Sequence, residues 1–321
     1  EKFSFRKTRL INHQGNIRTF SDLDLIWKNR QSIGLLKKKN MIKILSCVEA
    51  QIKQRMTGNN DLWVTATQKK EISDDIDLII NSKSKDKPIL ISTNVPFDAG
   101  YDLITTVFNS MSLWLYETLK YITQKFPNRK IIIRAHPDEE KYKTPETVYN
   151  FLKEWKNKGL NTKNITLFQK NEINTYQLFD KVAFGIVFSS TIGLEMAINR
   201  VPVILGSKVY YSNKGFTVDS ESREEYFSNI KKYCLLKNIN KLDKKSGHLA
   251  SIFHYLLHNI YLLDYPYDKP SDMLKISPDE LLKLKNFQRF KNTFDVLSMD
   301  YDEWNKELIN IYSKILNQRL N

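Results

Sequence analysis

The sequence predicts an α/β protein centred on a parallel sheet with helices on both faces. Three observations lead there. Short apolar runs recur at 88–93, 130–136, 164–168, 182–188 and 201–205. Segments with apolar residues at helical spacing separate them, and the links between the two kinds are short. Strands that read as continuous apolar runs and alternate with helices form covered parallel sheets. In such sheets ligands sit beyond the carboxyl ends of the strands.

The elements follow in order. Residues 1–86 are charged and mainly helical in character. "SDLDLIWKNRQSIGLLKKKNMIKILSCVEAQIKQRM" opens with a Ser/Asp helix start and places Leu25, Ile26, Ile33, Leu36, Ile42, Leu45 and Val48 at roughly helical spacing. "PILIST" (88–93) is the first strand of the α/β region. "YDLITTVFNSMSLWLYETLKYITQKF" then aligns Leu103, Val107, Met111, Trp114, Leu115, Leu119 and Ile122 along one helical stripe. "KIIIRAH" is a second strand, and "PETVYNFLKEWKNKG" a helix closed by Gly159. "NITLF" and "VAFGIVF" are strands with a short helix around "TYQLFD" between them. "TIGLEMAINR" is a helix, "VPVIL" a strand and "ESREEYFSNIKKYCLL" an amphipathic helix. Residues 245–321 look helical, with a break at "DYPYDKP" and a Ser-Pro-Asp-Glu helix start at "SPDELLKLKNFQRF".

Composition narrows the function classes. The 321 residues suffice for one large domain or two ordinary ones, and 41% hydrophobic with 12% aromatic content argues for a substantial core. Fifty basic against 36 acidic residues leave a net charge of +14. That suits an anionic partner: a nucleotide, an acidic glycan or an anionic membrane face. The lysines are scattered, so charge alone gives no ground for a nucleic-acid partner. Cys47 and Cys234 are far apart without metal-type spacing, which argues against a disulfide framework and fits a reducing compartment. No apolar run approaches membrane-spanning length and the start lacks a signal-peptide pattern. The first residue is Glu rather than Met, compatible with a piece of a longer, multidomain protein.

Four stretches at strand ends could carry chemistry. In "IIIRAHPDE", His136 follows a strand that Pro137 stops; its imidazole can donate to a phosphate oxygen, and Arg134 adds positive charge. In "VFSSTIGLEMA", the hydroxyls of Ser189, Ser190 and Thr191 and the first helix N–H groups can face one anion. There Gly193 permits close approach, and Glu195 can accept from a ribose hydroxyl. The same residues also read as an ordinary Ser/Thr cap with Glu complementing the helix dipole. The third stretch, "GSKVYYSNKGFTVD", offers Lys208, Tyr210, Lys214 and Gly215, or simply a solvated basic loop. In the fourth, "STNVPFDAGYD", Asn94 and Asp98 follow the first strand; Asp98 reads equally as a base or a cap, and Asp102 as a cap.

The ordered set "NVPFDA", "IIRAHP", "VFSSTIGLEMA", "VPVILG" and "KGFT" resembles the capsule polysaccharide biosynthesis family over roughly 87–235. That family includes capsular Kdo transferases. The resemblance implies the GT-B architecture of two Rossmann-like lobes. It also implies a glycosyltransferase moving a sugar from a CMP- or UDP-linked donor to a polysaccharide or glycolipid acceptor, with no separate cofactor. Because no DxD-like carboxylate pair follows a strand, Asp74 and Asp75 lying in a polar helical segment, the expected mechanism is metal-independent. On the resemblance, His136–Pro137 matches a phosphate-contacting motif, and Ser189 and Ser190 a hydroxyl pair at the phosphate. Glu195 lies on the matching helix, and Asp98 matches an acidic position whose role would be the base. The expected organisation is a reduced or truncated, mainly helical acceptor-side region at 1–86, a nucleotide-sugar-binding lobe at 87–244 and a helical segment at 245–321. The expected location is the cytoplasm, at the inner face of the membrane. Rival readings are a nucleotide-sugar 2-epimerase, an ATP-dependent glycan modification and a non-catalytic subunit that binds acidic glycan.

Overall fold

The computed structural model describes residues 4–5, 21–57, 87–95, 107–139, 145–169, 172–236, 239–261, 263–264 and 299–320. Asp98, Asp102, residues 265–270 of "DYPYDKP" and "SPDELLKLKNFQRF" lie outside them. The chain divides into two compact units, one of residues 1–50 with 251–321 and one of residues 51–250.

The second unit holds a five-stranded parallel sheet. Its strands are β2 (Ile89–Ser92), β3 (Ile131–Arg134), β4 (Ile165–Phe168), β5 (Phe184–Val187) and β6 (Val203–Leu205), in the spatial order β4-β3-β2-β5-β6. All four pairings are parallel. The chain therefore starts in the middle, builds outward through β3 and β4, then crosses over to build β5 and β6 on the other side. This is the 3-2-1-4-5 order of a Rossmann-like sheet, and the reversal between β2 and β5 is its switch point.

One face of the sheet carries Ile89, Ile91, Ile131, Ile133, Phe184, Ile186 and Ile204. They pack on α4 (Met111–Lys125), α5 (Val148–Asn157) and α7 (Arg223–Leu235). These helices begin where local chemistry starts them. Ser110 accepts from Leu113 N–H, Thr147 from Asn150 N–H and Ser222 from Glu225 N–H, each satisfying a donor the first turn leaves over. A buried polar chain locks α4 to α7: Trp114 Nε1 donates to Tyr226 Oη at 2.7 Å, and Thr118 Oγ1 lies 2.8 Å from it. On the opposite face, α6 (Ile192–Ile198) lies over Gly185, where the absent side chain makes room for Met196.

The periodicity from Tyr101 suggested one helix, but α4 starts only at Met111. Residues 107–110 are non-helical, and Val107 and Phe108 are buried in the core, so their apolar character reports packing and not helical phase. The helix expected around "TYQLFD" is a single 3₁₀ turn, Thr175–Leu178.

The expected N-terminal helix is divided into α1 (Ser21–Lys28), α2 (Arg30–Ile33) and α3 (Lys38–Thr57), of which residues 51–57 belong to the second unit. Gly34, at φ 98°, ends α2 in the left-handed region that glycine adopts without steric cost. The turn resets the helical phase. Ile44, Val48 and Ile52 face inward on α3, while Ile42, expected on the apolar stripe, is 62% exposed. The last described helices are α8 (Lys244–Tyr255) and α9 (Tyr301–Leu320), and a π-helical turn, Leu256–Tyr261, follows α8. Strands β1 (Ser4–Phe5) and β7 (Leu263–Asp264) pair antiparallel.

Candidate functional site

The switch point sets the candidate site. Thr93 and Asn94 leave β2, Ala135 and His136 leave β3, and Phe188 to Thr191 leave β5, all at the same edge of the sheet. The two sides of the reversal are tied directly, because Asn94 Oδ1 accepts the Ser189 backbone N–H at 3.2 Å. Beside them, Ser92 and Thr93 are buried, and their hydroxyl oxygens have no hydrogen-bond partner among the described residues.

His136 is half-buried at the end of β3. The Asp138 backbone N–H donates to its Nδ1 at 3.2 Å, which leaves the proton of the neutral ring on Nε2. Pro137 turns the chain, and Glu139, buried two residues on, accepts the Val148 N–H at the first turn of α5. The "HPDE" sequence thus positions the imidazole and starts the next helix. Glu139 was not singled out by the sequence. A carboxylate nine residues before a helix start carries no local capping signature.

Arg134 is 5% exposed. Its NH1 donates to the carbonyls of Ala135 (2.9 Å) and Gln169 (2.8 Å), bracing the end of β3 against the segment after β4. Its Nε is buried without a hydrogen-bond partner among the described residues. Burial lowers its pKa to about 10, opposed in part by the Glu172 carboxylate.

The loop after β5 departs from the expected open anion seat. Thr191 already has right-handed helical dihedrals and makes no side-chain cap bond. Ile192 N–H donates to Ser190 Oγ at 3.4 Å, Gly193 N–H to Ser190 O and Leu194 N–H to Thr191 O. The coil tightens one residue early, so these N–H groups are engaged within the loop. Gly193 accommodates protein. A Cβ there would collide with the Tyr211 hydroxyl and lie 2.9 Å from Val187 Cγ2. Tyr211, fully buried, donates to the Ser190 carbonyl at 2.5 Å.

Glu195 points into the second unit's interior, its side chain 6% exposed. It pairs with Arg55 NH1 at the end of α3 and accepts from Tyr176 Oη at 3.0 Å. Burial drives the Tyr176 hydroxyl pKa far up, and the Glu195 carboxylate adds to this. Asn174 Nδ2 fixes the same end of α3 through the Met56 carbonyl. Sequence reading missed Arg55 and Tyr176 because neither lies near Glu195 along the chain.

The loop after β6 returns to the sheet. Gly206 N–H donates to Val187 O, Leu205 N–H to Val218 O and Val218 N–H to Val203 O, so both stems are held at the sheet edge. Gly206 leaves space for the Trp114 indole. The loop leans on the β5 loop, since Tyr210 Oη donates to Thr191 Oγ1 at 3.4 Å. Burial pushes the Tyr210 pKa up to about 12. Lys208 is half-buried, Lys214 Nζ donates to the Ser212 carbonyl, and Gly215 sits exposed at φ 88°. Asn213 and Thr217 both donate to Asp219, which shapes the tip.

The structure therefore brings Ser189, Ser190, Thr191 and Tyr210 together, with His136 and Arg134 along the same edge. Glu195 faces inward. Asp98 lies outside the described residues.

The sequence profile of the family described as "Capsule polysaccharide biosynthesis protein" matches residues 62–234, more than half of the chain. The chain belongs to that family. The match takes in every strand of the parallel sheet and each of its carboxyl-end loops. No curated protein sequence matches the chain. Among solved structures, it is similar to Thermosulfurimonas dismutans KpsC in its beta Kdo 2,7 transferase, at 16% identity over 82% of this chain and 66% of that one, TM-score 0.41. It is also similar to the beta Kdo 2,4 transferase of the same KpsC, at 12% identity over 78% and 70%, TM-score 0.45. A third likeness is to Staphylococcus aureus MnaA in a structure with UDP, at 12% identity over 60% and 48%, TM-score 0.36. The chain spans just under two thirds of the first of these and about half of the third. All three TM-scores lie under 0.5, so the sheet order, and not these likenesses, carries the fold.

Proposed function

We propose that this capsule-family chain is a glycosyltransferase that moves a sugar from a CMP- or UDP-linked donor to a capsular or related polysaccharide or glycolipid acceptor. The observation that supports the reading is the placement, along one sheet edge beside the switch point, of a tautomer-fixed imidazole and a hydroxyl-bearing loop. Such an edge takes up nucleotide phosphates. In the reaction an acceptor oxygen attacks the anomeric carbon while the bond from that carbon to the donor phosphate oxygen breaks. Negative charge grows on the departing phosphate. His136 Nε2–H donates to that oxygen, and the Ser189 and Ser190 hydroxyls donate to its neighbours. Lys208 and Lys214 add positive charge from the β6 loop, with Tyr210 and Gly215 shaping its approach and Thr191 holding Tyr210. These groups make the reaction metal-independent. Asp98 removes the acceptor proton. The protein works in the cytoplasm at the inner face of the membrane, alone or as part of a longer chain.

Calorimetric titration with CMP, UDP and GDP tests the donor half. Saturable heat with CMP or UDP that is lost on His136→Ala supports the reading. Absence of binding by all three removes it. Product analysis with the matching nucleotide sugar separates transfer, which needs an acceptor, from epimerisation, which does not.

A further inference from the structure

Between Asp24 and Glu49 the sequence holds no acidic residue and six basic ones. Four of these, Lys37, Lys38, Lys39 and Lys43, are exposed where α3 begins. Lys38 or Lys39, then Ile42 with Lys43, then Ser46 recur at three- and four-residue steps, so they share one solvent-facing side of the helix. Lys43 Nζ donates to the Leu320 carbonyl, which joins this side to the last turn of α9 within the first unit. The C-terminal part of α9 is basic as well, since Lys314 and, in the last turn, Arg319 lie in a stretch from 308 to 321 with no acidic residue. Among these cations Ile42 stands 62% exposed, while Ile44 two residues later is fully buried.

We propose that this face, the start of α3 with the end of α9, docks on an anionic lipid bilayer. The lysine ammonium groups meet the acidic headgroups, and Ile42 inserts among the acyl chains just below them. Charge alone fits any polyanion, but the exposed isoleucine at the centre selects a lipid surface. A glycan or nucleic-acid backbone offers nothing to an aliphatic side chain, whereas the headgroup boundary accepts both lysine heads and an apolar insert. No described helix is long and apolar enough to cross a membrane, so the contact is one of surface attachment. The inference stands apart from the nucleotide site and holds whatever the enzyme transfers.

The test is co-sedimentation of the full chain with vesicles of phosphatidylcholine alone or with 30% phosphatidylglycerol, at low and high salt. The expected result is binding to the anionic vesicles only, weakened by salt. Reversing Lys38, Lys39 and Lys43 to Glu lowers it by at least about a hundredfold, taking about fivefold for each basic residue at the surface. Ile42→Ser lowers it about tenfold through lost apolar burial. Ile42→Ser keeps the wild-type melting temperature because its side chain is exposed, and a Lys38→Glu/Lys39→Glu variant that spares the Lys43 bond to the Leu320 carbonyl keeps it as well, losing about 25-fold in binding. Equal binding to neutral vesicles, no binding to either, or indifference to the lysine reversals overturns the proposal. So does loss with the lysine variant but none with Ile42→Ser, which identifies the face as a general polyanion surface.

Discussion

Asn94 Oδ1 accepts the Ser189 backbone N–H, joining the ends of β2 and β5 across the reversal of the sheet. The bond holds the hydroxyl-bearing loop at a fixed distance from the first strand. Asn94→Ala removes the acceptor and leaves the amide unpaired, at a cost of about 1 kcal/mol in stability. Nucleotide affinity is expected to fall more steeply than that loss implies, because the loop loses its anchor. Thermal melts beside nucleotide titration check this, and a stability change with unaltered affinity places the ligand elsewhere.

His136 and Arg134 lie two residues apart at one strand end, yet they predict opposite behaviour. His136→Ala is expected to lower turnover about 10²-fold or more, in the range of a lost general-acid or oxyanion donor, with little change in melting temperature. Arg134→Ala removes charged donors from two backbone carbonyls and is expected to cost about 2–3 kcal/mol in stability. Steady-state kinetics and melts on both variants separate the roles. Equal stability loss in the two makes His136 a structural residue.

The close fit of Tyr211 against Gly193 can be tested by exchange. Gly193→Ala drives a methyl into the Tyr211 hydroxyl and Val187, an overpacking expected to cost about 1–3 kcal/mol. Tyr211→Phe removes the oxygen from that contact. The double variant is therefore expected to be more stable than the two single losses sum to. Strict additivity in chemical denaturation would show that the two residues do not meet.

Glu195→Ala leaves Arg55 and Tyr176 without their shared carboxylate. Removing one partner of a mostly buried pair costs about 3 kcal/mol. A Glu195 that serves a ribose instead would raise KM while leaving the melting temperature in place. Melts and KM measured on the same variant decide between these.

Asp219 gives a pH signature. Burial raises its pKa above the ordinary value of 3.8, outweighing hydrogen bonds from Asn213 and Thr217 that act the other way. A carboxyl raised on folding favours the folded state while protonated, and that contribution is lost as pH rises through the raised pKa. Asp219→Asn, which keeps an oxygen for Asn213 N–H, is therefore expected to raise the melting temperature at about pH 7. The gain shrinks toward about pH 4 and below, where the wild-type side chain is also neutral. A gap between the two proteins that stays constant across this range contradicts the assignment.

The parallel sheet was legible because strands covered on both faces are largely apolar, and the runs at 89–91, 131–133 and 184–187 carry no polar side chain. His136 and the 189–191 hydroxyls were legible because they sit where those runs stop. What escaped depended on distant partners. Glu195 looked like a first-turn carboxylate until Arg55, 140 positions away, claimed it. Gly193 looked like space for a ligand until Tyr211 filled it. Ile42 looked like a core residue because a helix drawn through Gly34 carries the wrong phase into α3.

The return of Val218 to Ile204 has an evolutionary consequence. With both feet of the 206–218 excursion clasped to the outermost strand, the tip between Lys208 and Gly215 behaves as a replaceable cartridge, Tyr211 being its retained plug. The tip's other residues can vary without disturbing the framework beneath.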